Sequence, residues 1–258
     1  MLLSLVKTSI DDQGDRRLAR EAQWLRELAE EPTLEGQLPR VLEEGWRDGH
    51  RYLVLSLAQA GAQETRAFTS DHARFLARLG KARFRATDFE VSGCGRWLRR
   101  EIAGLREAKL GEETVGQLEG AYEECEAALL YWTGPYVLSQ GDFAPWNIRT
   151  LGAQLFVYEW GQAHAEASPL DDVLHYLMVQ RALRRQAPGV RFLRTAMRRA
   201  HTFAVQAYPE WTWRPRVIGA LTLVYLLGAV LHHARGSGSC AGSAYWRLLE
   251  SRASWMPE

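Results

Sequence analysis

The sequence predicts an α+β chain in two parts: a small β-rich N-terminal lobe over 1–60 and a larger, mainly helical lobe over 61–258. Three observations predict it. Two strand-like runs lie close together before residue 60. Apolar residues recur at three- and four-residue spacing through most of the chain beyond residue 60. One non-helical island, Tyr136 to Trp160, interrupts the helices. At 258 residues the chain is long enough to bury a substantial core.

Leu2 to Val6 is a short apolar run ending at Lys7, and Asp11 to Asp15 reads as a turn-rich segment. Leu18, Ala22, Leu25 and Leu28 then mark one face of a helix. Pro39 to Trp46 and Tyr52 to Leu57 read as strands joined by a hairpin turn at Arg47-Asp48-Gly49-His50. Ala58 to Ala62 reads as a linker. Ser70 is expected to cap a helix carrying Phe75, Leu76 and Leu79. Thr114 is expected to start another, with Gln117 as its capping-box partner. Its stripe of Val115, Leu118, Tyr122, Cys125, Leu129 and Trp132 has core spacing. Within the island, two short strands flank Leu151 to Gln154, and helices resume after Pro169. Gly236-Ser237-Gly238 reads as a flexible turn.

Composition narrows the function classes. Lys plus Arg is 32 and Asp plus Glu is 31, so the chain offers no net field to draw nucleic acid or an anionic membrane. Arg96, Arg99 and Arg100 are expected on a solvated helix face. Cys94, Cys125 and Cys240 are far apart and carry no metal spacing, which fits a reducing compartment and a cytoplasmic location. Val217 to Leu231 is nearly all apolar, yet shorter than the ~20 residues a membrane span needs, so a buried helix is expected.

The chemistry is concentrated in Ser139-Gln140-Gly141-Asp142-Phe143-Ala144-Pro145-Trp146-Asn147. An Asp followed five residues later by an Asn has kinase catalytic-loop spacing: the Asp meets the attacking hydroxyl, and the Asn amide oxygen is a hard ligand suited to Mg²⁺. Twelve residues after Asn147, at the end of an apolar strand, stands Glu159 as a second metal carboxylate. The plain alternative is a turn Asp and a capping Asn. The order of Lys7 on a strand and Glu21 on the next helix, ahead of this loop, matches the kinase arrangement of lysine, glutamate, Asp, Asn and metal carboxylate.

Gln140-Gly141-Asp142 through Asn147 resembles the HGDxxxxN loop of the aminoglycoside phosphotransferase and choline kinase-like family. Val157-Tyr158-Glu159-Trp160 resembles its following I-D-W/F segment. Pro169-Leu170-Asp171-Asp172 resembles its P-x-x-D-L helix start, and Leu18 to Ala22 resembles its ion-pair helix. Tyr52 to Leu57, with Gly61, resembles the hinge that takes adenine through backbone groups. The resemblance covers most of the chain, is strongest from Leu138 to Asp172, and is weak after Pro188.

It implies a protein kinase-like two-lobe fold, ATP and Mg²⁺ as cofactors, and a ligand site in the cleft between lobes. Asp142 would be the catalytic base, and Asn147 and Glu159 the Mg²⁺ ligands. Lys7 would touch the ATP phosphates with Glu21 as its partner, and Asp171 or Asp172 would brace the loop. The acceptor would be a hydroxyl of a sugar, amino alcohol or aminoglycoside-like compound. Glu123, Glu124, Glu126 and Glu166 could attract a cationic one.

Three departures from the family pattern define the alternative. Gln140 stands for its His and Glu159 for its Asp. Lys7 lies too near the start for the two strands and Gly-rich loop that normally precede it, so the N-lobe is expected to be truncated, with an exposed edge strand that a partner chain could cover. The missing loop and Glu159 favour a degraded pseudokinase acting as a binding module, whereas position 140 is mostly structural and an amide can replace some of the imidazole's hydrogen bonds. Retention of Lys7, Glu21, Asp142 and Asn147 together favours an enzyme.

Overall fold

The computed structural model of the chain describes residues 4–107, 111–183 and 187–257. The chain forms two compact units, one of Met1–Arg83 with Leu138–His164, the other of Phe84–Val137 with Ala165–Glu258. The segment carrying Asp142, Asn147 and Glu159 thus clusters with the N-terminal residues.

The first unit opens on a three-stranded antiparallel sheet of β1 (Ser4–Thr8), β2 (Val41–Arg47) and β3 (His50–Ser56), in the order β1-β3-β2. The β2–β3 turn is tight because Asp48 and Gly49 both take positive φ, the conformation a two-residue hairpin loop demands. On the central strand, Leu53 and Leu55 are fully buried. Burying each such side chain contributes roughly 1.5–3 kcal/mol. Lys7 lies directly opposite Leu53, so its side chain shares that buried face. β1 is an edge strand, and its Val6 is exposed.

Helix α1 (Asp12–Ala29) packs on this sheet, burying Leu18, Glu21, Ala22, Leu25 and Leu28. The expected turn at Asp11 to Asp15 is instead the first turn of α1. Asp11 is its N-cap and accepts a hydrogen bond from Gly14 N, with Asp12 and Asp15 placed where the helix dipole favours acids. Helix α2 (Ser70–Ala82) is capped by Thr69 rather than Ser70, in a capping box closed by His72. Burial pushes the His72 imidazole down to about 4. The unit ends with the hairpin of β6 (Ile148–Leu151) and β7 (Gln154–Val157).

The second unit contains the sheet β4-β5-β8 (Phe84–Thr87, Gly134–Ser139, His164–Ala167). Its helices are α3 (Gly93–Glu107), α4 (Glu112–Leu129), α5 (Asp171–Leu183), α6 (Val190–Ala207), α7 (Pro215–Ser237) and α8 (Trp246–Glu250). The expected α4 stripe and Trp132 are all buried. The expected Thr114 start is not the cap: α4 begins two residues earlier after Gly111, and Gln117 accepts from Arg252 Nη1 instead. Arg96 and Arg99 are on the solvated face of α3, ion-paired to Glu166 and Glu126.

α7 is the one helix among the described residues long and apolar enough to cross a membrane, and 78% of its apolar stretch is buried within the protein. It packs against α4, α5, α6 and α8 as a core helix. Gly236 and Ser237, expected in a turn, form its last helical residues, and Gly238 ends it in the left-handed conformation.

Candidate active site

β5 delivers Ser139 and Gln140 to a turn at Gly141, whose φ is +83°. A Cβ there would lie 2.4 Å from the backbone oxygen of Gln162, so both backbone angle and space require glycine. Asp142 comes next, its N–H donating to Gln140 Oε1 at 2.9 Å. The Pro145–Asn147 turn then swings Asn147 back. Asn147 Nδ2 donates to Asp142 O and to Asp142 Oδ2, both at 2.9 Å. Between them Phe143 is fully buried, stacked on Phe75 and edge-on to His72. The five-residue spacing read in the sequence is therefore a closed hydrogen-bonded loop.

The β6–β7 hairpin connects this loop to Glu159. Tyr158 N donates to Asn147 O at 2.8 Å, extending the hairpin by one rung beyond Ile148 and Val157. Glu159 comes next, with φ 61° and ψ 58°. Its Oε1 lies 2.7 Å from Lys7 Nζ. The same Nζ donates to Glu21 Oε1 at 2.7 Å and Oε2 at 2.8 Å. Glu21 is 2% exposed. Burial raises its pKa, opposed chiefly by the Lys7 charge. Glu21 Oε1 also accepts from Trp160 N at 3.2 Å.

The five expected residues thus fall into two bonded groups in one unit: Lys7, Glu21 and Glu159 in an ion cluster, and Asp142 with Asn147 in a hydrogen-bonded pair. Gln140 joins the groups, with Nε2 2.9 Å from Tyr158 O and 2.7 Å from Glu159 O.

No family model matches the chain, and no curated protein matches it in sequence. Solved structures do match. A thermostable mutant of aminoglycoside phosphotransferase APH(4)-Ia, in ternary complex with ADP and hygromycin B, superposes with a TM-score of 0.64 at 13% identity over 99% of this chain and 87% of that one. A mutant aminoglycoside 2'-phosphotransferase-IIIa in complex with GDP gives 0.60 at 16% identity, covering 97% and 85%. APH(2")-IIa in complex with gentamicin gives 0.57 at 16% identity, covering 96% and 84%. This chain has the aminoglycoside phosphotransferase fold. The kinase-like α+β architecture expected from the sequence is therefore present.

On this fold, the donor set suits a hard cation. Both amide hydrogens of Asn147 are used on Asp142, leaving its carbonyl oxygen as the free ligand atom. Glu159 stands one residue beyond the backbone partner of Asn147, with its side chain 34% exposed. Two oxygen donors on adjoining strand ends are the ligand type that Mg²⁺ takes.

Other expected residues lie elsewhere. Asp171 and Asp172 occupy the first turn of α5 in the second unit. Burial, reinforced by the Asp172 charge, pushes the Asp171 carboxyl up to about 8. Glu166, also in that unit, is paired with Arg85 at 3.0 Å and Arg96 at 3.5 Å, so two guanidiniums offset its charge. Glu124 and Glu126 are paired with Arg252 and Arg99, leaving little excess negative charge at these positions for a cationic acceptor. Directly after Tyr52 to Leu57, Ala58 N donates to Tyr158 Oη at 2.7 Å. The roles of Tyr158 and His72 escaped the sequence reading: a capping His is not a usual box residue, and Tyr158 read as the end of an apolar strand, whereas β7 ends at Val157.

Proposed function

We propose that this chain is an ATP- and Mg²⁺-dependent phosphotransferase acting on a hydroxyl of a small molecule such as a sugar, amino alcohol or aminoglycoside-like compound. The observation that carries this reading is the assembly of the five expected residues into two bonded groups on an aminoglycoside phosphotransferase fold. Neighbouring structures with ADP and hygromycin B support a nucleotide and a small-molecule acceptor. Buried, unpaired cysteines support a reducing, cytoplasmic setting.

In the proposed reaction the acceptor oxygen bonds to the γ-phosphorus while the bond from that phosphorus to the β-bridging oxygen breaks. ADP departs with the electron pair, and the hydroxyl proton passes to the Asp142 carboxylate. Asn147 holds one Asp142 oxygen by Nδ2, which fixes the carboxylate plane for the proton transfer. Lys7, oriented by Glu21, supplies a fixed positive charge for the phosphates. Mg²⁺, when bound, neutralises phosphate charge, and Asn147 and Glu159 are the residues that would hold it.

The test is phosphoryl transfer from ATP to a panel of hydroxyl acceptors, with Asp142→Asn alongside. Wild type should turn over, and Asp142→Asn should lose at least about 100-fold in kcat, the range for a positioned general base, with nucleotide affinity nearly intact. Nucleotide binding without turnover on any acceptor would instead support the pseudokinase reading.

A further inference from the structure

Tyr158 stands between β7 and Glu159, at the position of the Ile in the I-D-W/F segment that Val157 to Trp160 resembles. An isoleucine has nothing to offer a polar group. The Tyr158 phenol does: its Oη accepts from Ala58 N at 2.7 Å, across 100 residues of sequence. Ala58 follows β3 directly, between Tyr52 to Leu57 and Gly61, in the segment that resembles the adenine hinge. A main-chain N–H there is a donor for the acceptor edge of a base. In this chain the donor is already engaged by the protein's own side chain.

Ala58 and Tyr158 lie in the first unit, together with Lys7, Asn147 and Glu159. The Tyr158 main chain is anchored on both sides. Its N–H donates to Asn147 O at 2.8 Å, and its carbonyl accepts from Gln140 Nε2 at 2.9 Å. The ring therefore projects from a fixed point, one residue before the carboxylate that meets Lys7. It packs beside Phe156, with ring centroids 5.0 Å apart. The phenol end is held less firmly than the main chain: Tyr158 is half-buried, and its hydroxyl makes this one hydrogen bond among the described residues. A neutral hydrogen bond has a small net worth, so a ligand that offers Ala58 N another acceptor can replace it. The ring nitrogens and carbonyl oxygens of purines are such acceptors. Phosphate groups drawn to Lys7 do not compete for this amide.

We propose that Tyr158 sets the affinity of this chain for the base of its nucleotide: the phenol occupies the Ala58 donor in the free protein, and a purine displaces it on binding. The exchange weakens recognition of the base and leaves recognition of the phosphates unchanged. This inference deepens the phosphotransferase reading and rests on it; the Tyr158–Ala58 bond itself does not.

The experiment compares wild type with Tyr158→Phe, which keeps the ring and deletes the hydroxyl. ADP and pyrophosphate are titrated by calorimetry at one fixed Mg²⁺ concentration, pyrophosphate being the phosphate pair without ribose and base. Tyr158→Phe should bind ADP about two- to tenfold more tightly, the worth of one net hydrogen bond, and pyrophosphate within about twofold of wild type. In the free protein, hydrogen exchange at the Ala58 amide should be faster in the variant. An ADP affinity unchanged or lowered overturns the proposal, and so does an equal gain for pyrophosphate. Unaltered exchange at Ala58 overturns it as well, because the hydroxyl then does not hold the amide. If Tyr158→Phe fails to fold, a 3-fluorotyrosine incorporated at position 158 decides: its fluorine resonance should move with ADP and stay in place with pyrophosphate. A resonance that ADP leaves unmoved overturns the proposal. Pyrophosphate binding without the ADP gain removes the role of Tyr158 and leaves the phosphate site standing. Binding of neither ligand by either protein sinks the phosphotransferase reading, and the role of Tyr158 with it.

Discussion

The Lys7 ammonium lies 2.7 Å from Glu159 Oε1 and 2.7 Å from Glu21 Oε1. One cation therefore serves two carboxylates of unlike environment: Glu21 is 2% exposed by side chain and Glu159 34%. Glu159 can exchange its partner for a metal or water, whereas Glu21 has no comparable access to solvent. The lysine is held for the site by the buried acid and restrains the exposed one.

That asymmetry predicts a non-additive stability cycle. Lys7→Met leaves the Glu21 charge buried, with Trp160 N as its hydrogen-bond donor among the described residues and the Glu159 carboxylate opposing it, and removing one partner of a buried pair typically destabilises by about 3–5 kcal/mol. Lys7→Met combined with Glu21→Gln removes both charges and should recover at least half of that loss. Urea unfolding at neutral pH measures both. Additive losses would mean that Glu21 is not a buried charge balanced by Lys7.

Two buried groups should shape stability against pH in opposite senses. The folded-state pKa of Asp171 is raised from 3.8 to about 8, so the folded chain binds the extra proton and stability falls as pH rises across that window. The folded-state pKa of His72 is lowered from 6.5 to about 4, so stability is lost as pH falls across that window. Between pH 6.5 and 8 only the first effect of the pair operates. Asp171→Asn should therefore flatten the decline in melting temperature between pH 6.5 and 8, with its largest gain over wild type at pH 8. A decline of unchanged slope in that variant would remove Asp171 as its source.

Gly141→Ala should be among the most damaging substitutions of its size. The new methyl would sit 2.4 Å from a backbone oxygen, at a φ that L residues disfavour by about 1–2 kcal/mol. Backbone cannot yield as a side chain tip can, so the loop between Gln140 and Asn147 should shift as a whole. We expect a loss above 2 kcal/mol in urea unfolding, together with loss of the proposed phosphoryl transfer. Gly152→Ala, at a positive φ in open space, is the control and should lose only about the 1–2 kcal/mol of the backbone term.

Much of this was legible in the sequence where one residue pattern has one cause. The spacing of Leu18, Ala22, Leu25 and Leu28 follows from a helix with one buried face, and all four are buried. β4 and β8 went unread for a physical reason. Phe-Arg-Ala-Thr and His-Ala-Glu-Ala alternate over only four residues and rest their apolar face largely on alanine, and their side chains are mostly exposed or half-buried. Their extended form comes from membership of the sheet built on β5, all of whose residues are buried. The Lys7–Glu159 contact was equally invisible, because it depends on a backbone angle at Glu159 that no propensity suggests.

Asn147 gives a prediction that separates its two hydrogen bonds from its ligand oxygen. Its amide is the donor to Asp142 O and Oδ2. Asn147→Asp keeps the shape but replaces that donor with a second carboxylate oxygen at hydrogen-bond distance from the first. Two such carboxylates cannot both ionise freely, so one pKa of the pair should rise in the folded state. A raised folded pKa means stability present at low pH and lost as pH rises. Asn147→Asp should therefore be near wild type in urea midpoint at pH 4 and below it at pH 7, by about the 1–3 kcal/mol of a lost, now unsatisfied hydrogen bond. Mg²⁺ offers the paired carboxylates the charge they lack. Millimolar Mg²⁺ should restore much of the loss at pH 7 in Asn147→Asp but not in Asn147→Leu, which has no ligand oxygen. A variant equally destabilised at both pH values would show that the amide only fills space. Equal rescue of Asp and Leu variants by Mg²⁺ would show that the metal acts elsewhere.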